Sequence, residues 1–186
     1  MKKFFKQFKK INSEPIEKAN IIWSWIGSFL GILAISYFHQ DFLDDKDLTL
    51  VVGSFGASAV LIYGAINSPL AQPKNLIGGH IISAIIGVFC YKLFGENLLF
   101  AAAIAVSSSI LVMQLTLTLH PPGGATALIA VIGTPQIHDL GYFFVIFPVF
   151  SGALILFLIA FVINNIPKNI RAYISYKKIN PKELML

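Results

Sequence analysis

The chain has 186 residues, of which 56% are hydrophobic and only 12% are charged, and its mean hydropathy is +0.75. A soluble domain carries about 25% charged residues, so this composition excludes an ordinary soluble protein. The formal net charge is +5, but the basic residues flank long apolar runs. Basic residues beside membrane-crossing segments are expected in a membrane protein, so the excess of positive charge does not indicate a nucleic-acid-binding surface.

Five uncharged runs follow one another along the chain. A helix that crosses a bilayer needs about 20 mostly apolar residues, and the runs have about this length. They cover residues 21–38, 48–73, 75–91, 97–119 and 140–167. The pattern therefore predicts an all-α fold, a polytopic transmembrane helix bundle.

Charge is distributed unevenly around these runs. Residues 1–18 carry six Lys and two Glu, residues 168–186 carry five basic residues and Glu183, and the loop 39–47 carries four Asp and Lys46. Lys and Arg are enriched in cytoplasmic segments, so we expect both termini in the cytoplasm and the acidic loop outside. We expect the protein to lie in the cell inner (cytoplasmic) membrane, in contact with the lipid bilayer. We also expect solvated histidines beside acidic segments, at His39 and His138.

The predicted organisation is a basic tail (residues 1–18), one multi-pass transmembrane domain (residues 19–165) and a second basic tail (residues 166–186). Termini on one side require an even number of crossings. The expected crossings cover about residues 20–38, 48–66, 76–93, 98–119, 122–134 and 142–164. The alternative is five crossings plus a re-entrant segment. The sixth candidate spans only about 20 Å of a roughly 30 Å hydrocarbon core.

One expected helix break lies at residues 120–124, His-Pro-Pro-Gly-Gly, within a stretch without charged residues. Proline disfavours helix in the residue before it and suits the first turn of a new helix. A helix N-terminus offers free N–H groups and a partial positive charge, which together favour an anion. His120 could add a donor and bind a proton with the anion, and Thr126 adds a hydroxyl. The alternative is a proline kink in which His120 bonds a neighbouring helix.

A second expected break lies at residues 68–75, where prolines end one helix and a Gly-Gly pair marks the start of the next. Lys74 would attract anions by its field, or would only set the topology. Both units contain, in the same order, a small-residue helix, a proline break, a Gly-Gly pair and another helix. Such internal repeats are typical of transporters, although small residues also serve helix packing. The candidate binding residues are His120, Pro121, Pro122, Gly123, Gly124, Thr126, Ser68, Gln72, Lys74, Asn75, Gly78, Gly79 and His80.

The sequence lacks the common signatures of nucleotide and metal chemistry. It has no Gly-x-x-x-x-Gly-Lys-Ser/Thr loop and no His-Glu-x-x-His motif. Four scattered histidines and one cysteine do not form a metal-ligand set. We therefore expect no enzyme activity, no metal and no cofactor. The small residues of 53–64, with Ser54 and Ser58, could flank a pore, but they are interpreted as helix-packing positions that could also support a homo-oligomer.

Four segments resemble the HPP family of integral membrane proteins, named for its His-Pro-Pro motif. They are Gly-Ser-Phe-Gly-Ala-Ser-Ala-Val-Leu at 53–61, Ser-Pro-Leu-Ala-Gln-Pro-Lys-Asn at 68–75, Gly-Gly-His at 78–80 and His-Pro-Pro-Gly-Gly-Ala at 120–125. The resemblance extends over about residues 23–164. Members in photosynthetic organisms are linked to nitrite transport, so it implies a transport function. Some members carry a cytoplasmic regulatory domain after the membrane part, which residues 166–186 do not imply here.

The sequence therefore predicts a transporter or channel for a small monovalent inorganic anion, with nitrite as the leading candidate. The anion would bind between two helix N-termini, at Gly78-Gly79 and Gly123-Gly124. The alternative is a non-transporting structural or partner-binding membrane subunit, in which the His-Pro-Pro turn only orders the bundle.

Overall fold

The computed structural model describes residues 18–166, so the two basic tails lie almost entirely outside the described residues. The helices, in chain order, are α1 (Lys18–His39), α2 (Asp45–Ala59), α3 (Pro73–Phe94), α4 (Leu98–Leu115), α5 (Pro121–Ile132), α6 (Pro135–Leu140) and α7 (Ser151–Ile163). A π-helical segment, Val60–Gly64, continues α2. The segment Val145–Phe150 before α7 is kinked at Phe147, which has extended backbone (φ −135°, ψ 122°). A 3₁₀ turn, Pro69–Ala71, lies between α2 and α3.

Five helices of the described chain are long and apolar enough to cross a membrane. They cover Asn20–His39, Asp45–Gly64, Pro73–Phe94, Leu98–Leu115 and Val145–Ile163. The all-α membrane bundle is confirmed. Helix α5 is the short sixth helix, with 12 residues, or about 18 Å. The number of crossings and the side on which the termini lie stay predictions.

Both expected breaks are present, although α4 ends at Leu115 instead of near Leu119. The amide of Thr118 bonds the Met113 carbonyl at 2.9 Å, and Leu117 has a positive φ of 55°. The chain then lies on the first turns of α3, where the Asn75 side chain donates to the Leu119 carbonyl at 2.9 Å. The proline rule did not reveal this earlier end, because a contact with another helix stabilises it.

Helix α3 is central in one half of the bundle, where it packs against α4 and α5. Helices α3 and α5 run in the same direction: Gly79 lies beside His120, and Gly87 lies beside Ala127 and Ala130. A β-carbon at Gly87 would lie 2.6 Å from the Ala127 carbonyl oxygen. The two backbones are therefore in contact, which only glycine permits at this position.

The other half contains α1, α2 and α7. Two carbonyls of its π-helical segment Val60–Gly64 accept hydrogen bonds from side chains of neighbouring elements. Ser24 on α1 donates to the Tyr63 carbonyl at 2.6 Å. Asn164, after α7, donates to the Ile62 carbonyl at 3.0 Å. A π turn disturbs the regular helical ladder, and unpaired carbonyls are costly in hydrocarbon. These two hydrogen bonds give the Ile62 and Tyr63 carbonyls donors inside the bundle.

The acidic loop is tied to the turn between α5 and α6. Asp47 is fully buried, and its carboxylate accepts the Thr134 amide at 2.9 Å and the Thr134 hydroxyl. Asp44 caps α2 by accepting the Asp47 amide at 2.8 Å. Gln136 donates to the Phe42 carbonyl at 3.0 Å. These bonds hold the start of α2 against the end of α5.

Of the two histidines expected to be solvated, one is fully buried and the other is half-buried. His39 is fully buried, with Nδ1 2.8 Å from the Ile35 carbonyl and Nε2 2.9 Å from the Ser151 hydroxyl. His138 is half-buried and stacks on the Tyr91 ring at 3.7 Å between centroids. Position beside an acidic loop did not predict burial, because the burying groups come from α7 and α3.

We predict different changes in the free energy of unfolding for two glycine-to-alanine substitutions. Gly87→Ala should lower the free energy of unfolding by about 1–3 kcal/mol, because the new methyl overlaps the α5 backbone. Gly53→Ala should leave it unchanged or raise it by up to about 1 kcal/mol, because a β-carbon there meets no atom within 4 Å and alanine favours helix. Thermal melting of the purified proteins in detergent measures both, and equal effects would contradict the α3–α5 contact.

Candidate functional site

Five buried polar side chains from α2, α3 and the start of α5 meet inside the bundle. We call this group the histidine cluster; it contains Ser54, Ser58, His80, His120 and Thr126. Each has its side-chain polar atoms within hydrogen-bond distance of another member. Gly79, which packs on His120, is the seventh residue of α3, so the cluster lies about 9 Å along that helix from its first residue.

The two histidine rings are linked through one serine. The Ser58 hydroxyl lies 2.8 Å from His80 Nε2 and 2.9 Å from His120 Nε2. The ring centroids of His80 and His120 are 5.1 Å apart. His120 Nδ1 lies 2.8 Å from the carbonyl oxygen of Leu70, in the 3₁₀ turn. The cluster therefore connects the two broken segments through side chains.

The chain of bonds continues toward α5. His80 Nδ1 lies 2.7 Å from the Thr126 hydroxyl, which lies 3.0 Å from the Ser54 hydroxyl. Ser54 also donates to the Pro122 carbonyl at 3.1 Å. Each ring nitrogen of both histidines has a partner, as buried polar groups in an apolar surrounding require.

Local sequence explains how these side chains converge. Ser54 and Ser58 are four residues apart, so they lie on one face of α2. His120 has extended backbone (φ −137°, ψ 105°) immediately before the Pro-Pro helix start, and the prolines place it there. A β-carbon at Gly79 would lie 2.5 Å from His120 Cβ, so glycine at this position is what lets the ring approach α3.

The cluster contains no formal charge. Lys74 is the only Asp, Glu, Lys or Arg between Asp47 and Lys92, and none occurs between Glu96 and Asp139. Lys74 is exposed in the first turn of α3. It stands at the end of the bundle where both breaks lie, outside the cluster.

The remaining polar candidates of the second break bond to backbone. Gln72 Nε2 donates to the Ser68 carbonyl at 3.0 Å and to the Ile66 carbonyl at 3.3 Å. The Ser68 hydroxyl accepts the Leu70 amide at 3.2 Å. Asn75 holds the Leu119 carbonyl. These side chains form the rim around Leu70 and keep the 3₁₀ turn over His120.

The glycines at the two helix starts differ in how much space they have. A β-carbon at Gly123 would lie 2.7 Å from the Ser83 hydroxyl oxygen, and one at Gly78 would lie 2.9 Å from Thr118 Cγ2. At Gly124 the nearest atom would be 3.8 Å away. Three of the four glycines therefore permit close contact with another segment, and a β-carbon at Gly124 would make only an ordinary contact with Val106.

Few backbone donors are free at the start of α5. Pro121 and Pro122 have no N–H group, and the Gly123 amide bonds the His120 carbonyl at 2.8 Å. In this conformation the donors that could face an anion are thus mainly side chains. Pro121 is exposed and Pro122 is buried, so the motif begins at the rim and ends inside the bundle.

The sequence predicted some of this cluster and missed the rest. His80, His120 and Thr126 were expected site residues, and they meet at one place. Ser54 and Ser58 were interpreted as packing residues. Their spacing of four on one helix face, in a run without charges, was the available signal. In residues 18–166 no group of three or more His, Cys, Asp or Glu side chains lies close enough to hold a metal ion.

Comparison with known proteins supports the motif-based resemblance. The family model described as HPP, transmembrane region, matches residues 13–173. A transmembrane protein of Dictyostelium discoideum is 48% identical over 157 residues, which are 83% of this chain and 54% of that protein. A second from the same organism is 43% identical over 167 residues, 87% of this chain and 53% of that protein. The chain thus spans about half the length of these relatives. No solved structure matches.

We predict that Thr126→Val destabilises the fold by about 1–3 kcal/mol, because His80 Nδ1 loses its buried donor and valine keeps the shape. The matched control is Thr49→Val, which removes an exposed hydroxyl bonded to the Asp45 carbonyl at 2.7 Å and should change stability by less than about 0.5 kcal/mol. Chemical or thermal unfolding in detergent gives both values. A Thr126→Val protein as stable as the control would show that the bond contributes nothing.

Proposed function

Because this chain belongs to the HPP family of transmembrane proteins, we propose that it carries a small monovalent anion across the membrane, with nitrite as the leading candidate. The observation that supports this most is the histidine cluster itself. Five polar side chains from three elements meet in the interior of an apolar bundle. Ionisable and polar groups are expensive inside a bilayer, and they are typical of substrate and proton pathways.

The cluster suits an anion because the group nearest the rim is a donor. His120 Nδ1 faces the Leu70 carbonyl oxygen at 2.8 Å, and a carbonyl can only accept. A nitrite oxygen is also an acceptor. An anion could therefore replace the Leu70 carbonyl as the acceptor for His120 Nδ1. The Leu70 carbonyl would then bond another donor.

The 3₁₀ turn Pro69–Ala71 is the covering element in this mechanism. It is three residues long, and its Leu70 carbonyl closes the approach to His120. A displacement of this turn would open His120 to the rim formed by Ser68, Gln72 and Asn75. Short irregular segments can move at lower free energy than packed helices. The bound anion would then lie between the starts of α3 and α5.

The surrounding field also favours a negative ion. Helices α3 and α5 run in the same direction, and both begin at this end of the bundle. Each N-terminus carries roughly half a positive charge. No carboxylate lies between Asp47 and Glu96 in the sequence. The Gly123-Gly124 helix start and the side chains of His80 and Thr126 complete the proposed site, and Lys74 attracts anions to it.

In the proposed orientation both termini lie in the cytoplasm of an inner-membrane protein. The acidic loop then faces outward, and Lys74 and the two breaks lie at the cytoplasmic end. A homo-oligomer could use the α2 surface at Gly53, Gly56 and Gly64, where an added β-carbon meets no atom within 4 Å.

A second candidate function has one specific observation in its favour. Every ring nitrogen of His80 and His120 is bonded within the chain, so the cluster could simply fix the bundle of a structural or partner-binding subunit. In that case His120 would matter for stability and not for transport.

We predict that His120→Gln reduces nitrite uptake into proteoliposomes by about 10- to 100-fold, the factor for one charge-assisted hydrogen bond of roughly 1.5–3 kcal/mol. The matched control is His39→Gln. His39 is equally buried and also bonds through both ring nitrogens, but it lies at the other end of the bundle. It should lose similar stability and keep uptake.

Equal uptake by the two variants, with equal loss of melting temperature, would favour the structural subunit. Wild-type uptake no higher than that of empty liposomes, with folded and inserted protein, would remove nitrite as the substrate. Nitrate, formate and chloride in the same assay then test the wider class of small anions.

We predict that Lys74→Gln slows uptake from the Lys74 side severalfold at low ionic strength and has little effect near 1 M salt, because salt screens an exposed charge. Lys92→Gln is the control, since Lys92 lies at the opposite end of α3, 5.6 Å from the centroid of the Tyr142 ring. Protein orientation in the liposomes is set beforehand by protease accessibility. A salt-independent difference would contradict attraction by Lys74.

A further inference from the structure

We propose that the histidine cluster is a binding site for one proton, shared by His80 and His120 and accepted through rotation of the Ser58 hydroxyl. The proton site stands on the geometry of the cluster alone. Its role in coupling transport to a proton gradient rests on the proposed function.

The bonding partners determine the tautomer of His120. Its Nδ1 atom faces the Leu70 carbonyl oxygen at 2.8 Å. A carbonyl only accepts, so Nδ1 must carry a hydrogen. In the neutral ring the other nitrogen, Nε2, is then an acceptor. The only donor that the described structure places next to it is the Ser58 hydroxyl, at 2.9 Å.

The tautomer of His80 follows from the same serine. The Ser58 hydroxyl has one hydrogen, and it is used for His120. Its oxygen can therefore only accept from His80 Nε2 at 2.8 Å, so that atom carries the hydrogen of the neutral His80 ring. His80 Nδ1 is then an acceptor for the Thr126 hydroxyl at 2.7 Å. The two neutral rings are opposite tautomers.

The cluster can accept one more hydrogen without displacement of a carbon, nitrogen or oxygen atom. A proton from solution adds to His120 Nε2, and both Nε2–H groups then donate to the Ser58 oxygen. The Ser58 hydrogen rotates to the Ser54 carbonyl, which lies 3.5 Å away. The only covalent change is the new N–H bond at His120 Nε2, and the net charge of the cluster rises by one.

The same proton can be held on His80 instead. For this, both His80 nitrogens carry hydrogen: Nε2 donates to the Ser58 oxygen and Nδ1 donates to the Thr126 oxygen, while the Ser58 hydroxyl still donates to His120 Nε2. The Thr126 hydrogen turns to Ser54 at 3.0 Å, and the Ser54 hydrogen turns to the Pro122 carbonyl at 3.1 Å. Both arrangements keep every polar atom bonded, so the proton belongs to the pair and not to one ring.

A second proton is opposed by the first. The ring centroids are only 5.1 Å apart, and like charges repel strongly in an apolar interior. The groups around the rings are uncharged: Ser54, Phe55 and Ser58 on α2, Leu70 in the 3₁₀ turn and Thr126 on α5. Met113 on α4, beside Gly79 and Gly123, is also uncharged. The nearest lysine in sequence, Lys74, is exposed at the rim.

A shared single proton has a consequence for transport. A positive ring pair without a nearby carboxylate needs a counter-ion, and a monovalent anion beside His120 supplies one. Proton and anion should therefore bind together, one of each. The transported unit would be neutral, so uptake should respond to a pH gradient and not to membrane potential.

The first test is ring-nitrogen NMR on isotope-labelled histidine in lipid nanodiscs, without nitrite. We expect His80 to carry its hydrogen on Nε2 and His120 on Nδ1 at neutral pH. On acidification the two rings should change together and take up one proton in total. Signals are assigned with His39→Gln and His138→Gln, which lie outside the cluster. Identical tautomers, or independent uptake of one proton by each ring, would overturn the proposal.

The second test compares Ser58→Ala with Ser109→Ala. Ser109 is equally buried but bonds only the Ala105 carbonyl of its own helix, at 2.7 Å. In Ser58→Ala, His80 should lose its fixed tautomer while His120 keeps its hydrogen on Nδ1 against the Leu70 carbonyl. The pH-driven nitrite uptake should fall about tenfold, as for the loss of one buried hydrogen bond. Ser109→Ala should keep both properties. A His80 tautomer that stays fixed in Ser58→Ala would overturn the role of Ser58.

The two tests separate this inference from the proposed function. A shared proton seen by NMR, with no nitrite uptake in the wild type, supports the proton site and rejects nitrite transport. Uptake that follows membrane potential instead of the pH gradient overturns one-to-one coupling, whatever the NMR result.

Discussion

The hydrogen bond between His120 Nδ1 and the Leu70 carbonyl joins the two places where the bundle departs from helix. A broken helix inside an apolar bundle leaves backbone groups that only protein can satisfy. Here each break supplies a hydrogen-bond donor to a carbonyl of the other: Asn75 donates to the Leu119 carbonyl, and His120 donates to the Leu70 carbonyl. The close approach at Gly79 makes this exchange sterically feasible.

The opposite end of the bundle fixes the register of that arrangement. Buried Asp47 binds Thr134, which holds the start of α2 against the end of α5. Because the two helices run antiparallel, this contact places Ser54 beside Thr126 and Ser58 beside His120. A one-residue slip would turn both serines to another face of α2. An acidic anchor near the surface thus determines which hydroxyls reach the histidines.

The polar interior is neutral, fully bonded and bordered by two helix starts, and these properties belong together. A bonded neutral cluster is stable in an apolar surrounding. Its bonds are between groups that can reverse donor and acceptor roles, so it can gain a proton without repacking. An acceptor at its edge, the Leu70 carbonyl, bonds His120 Nδ1, the atom that we propose for the anion. Stability and the proposed transport therefore make no opposing demands on these residues.

The sequence by itself determined the membrane bundle, its five long helices and both breaks, because apolar length, proline and glycine act locally. It also indicated His80, His120 and Thr126 as site residues. It did not reveal the early end of α4 at Leu115, the burial of His39, or the part played by Ser54 and Ser58. These features depend on partners 22 to 112 residues away along the chain. Only the tertiary structure decides such pairings, because the contact that creates each one is between different helices.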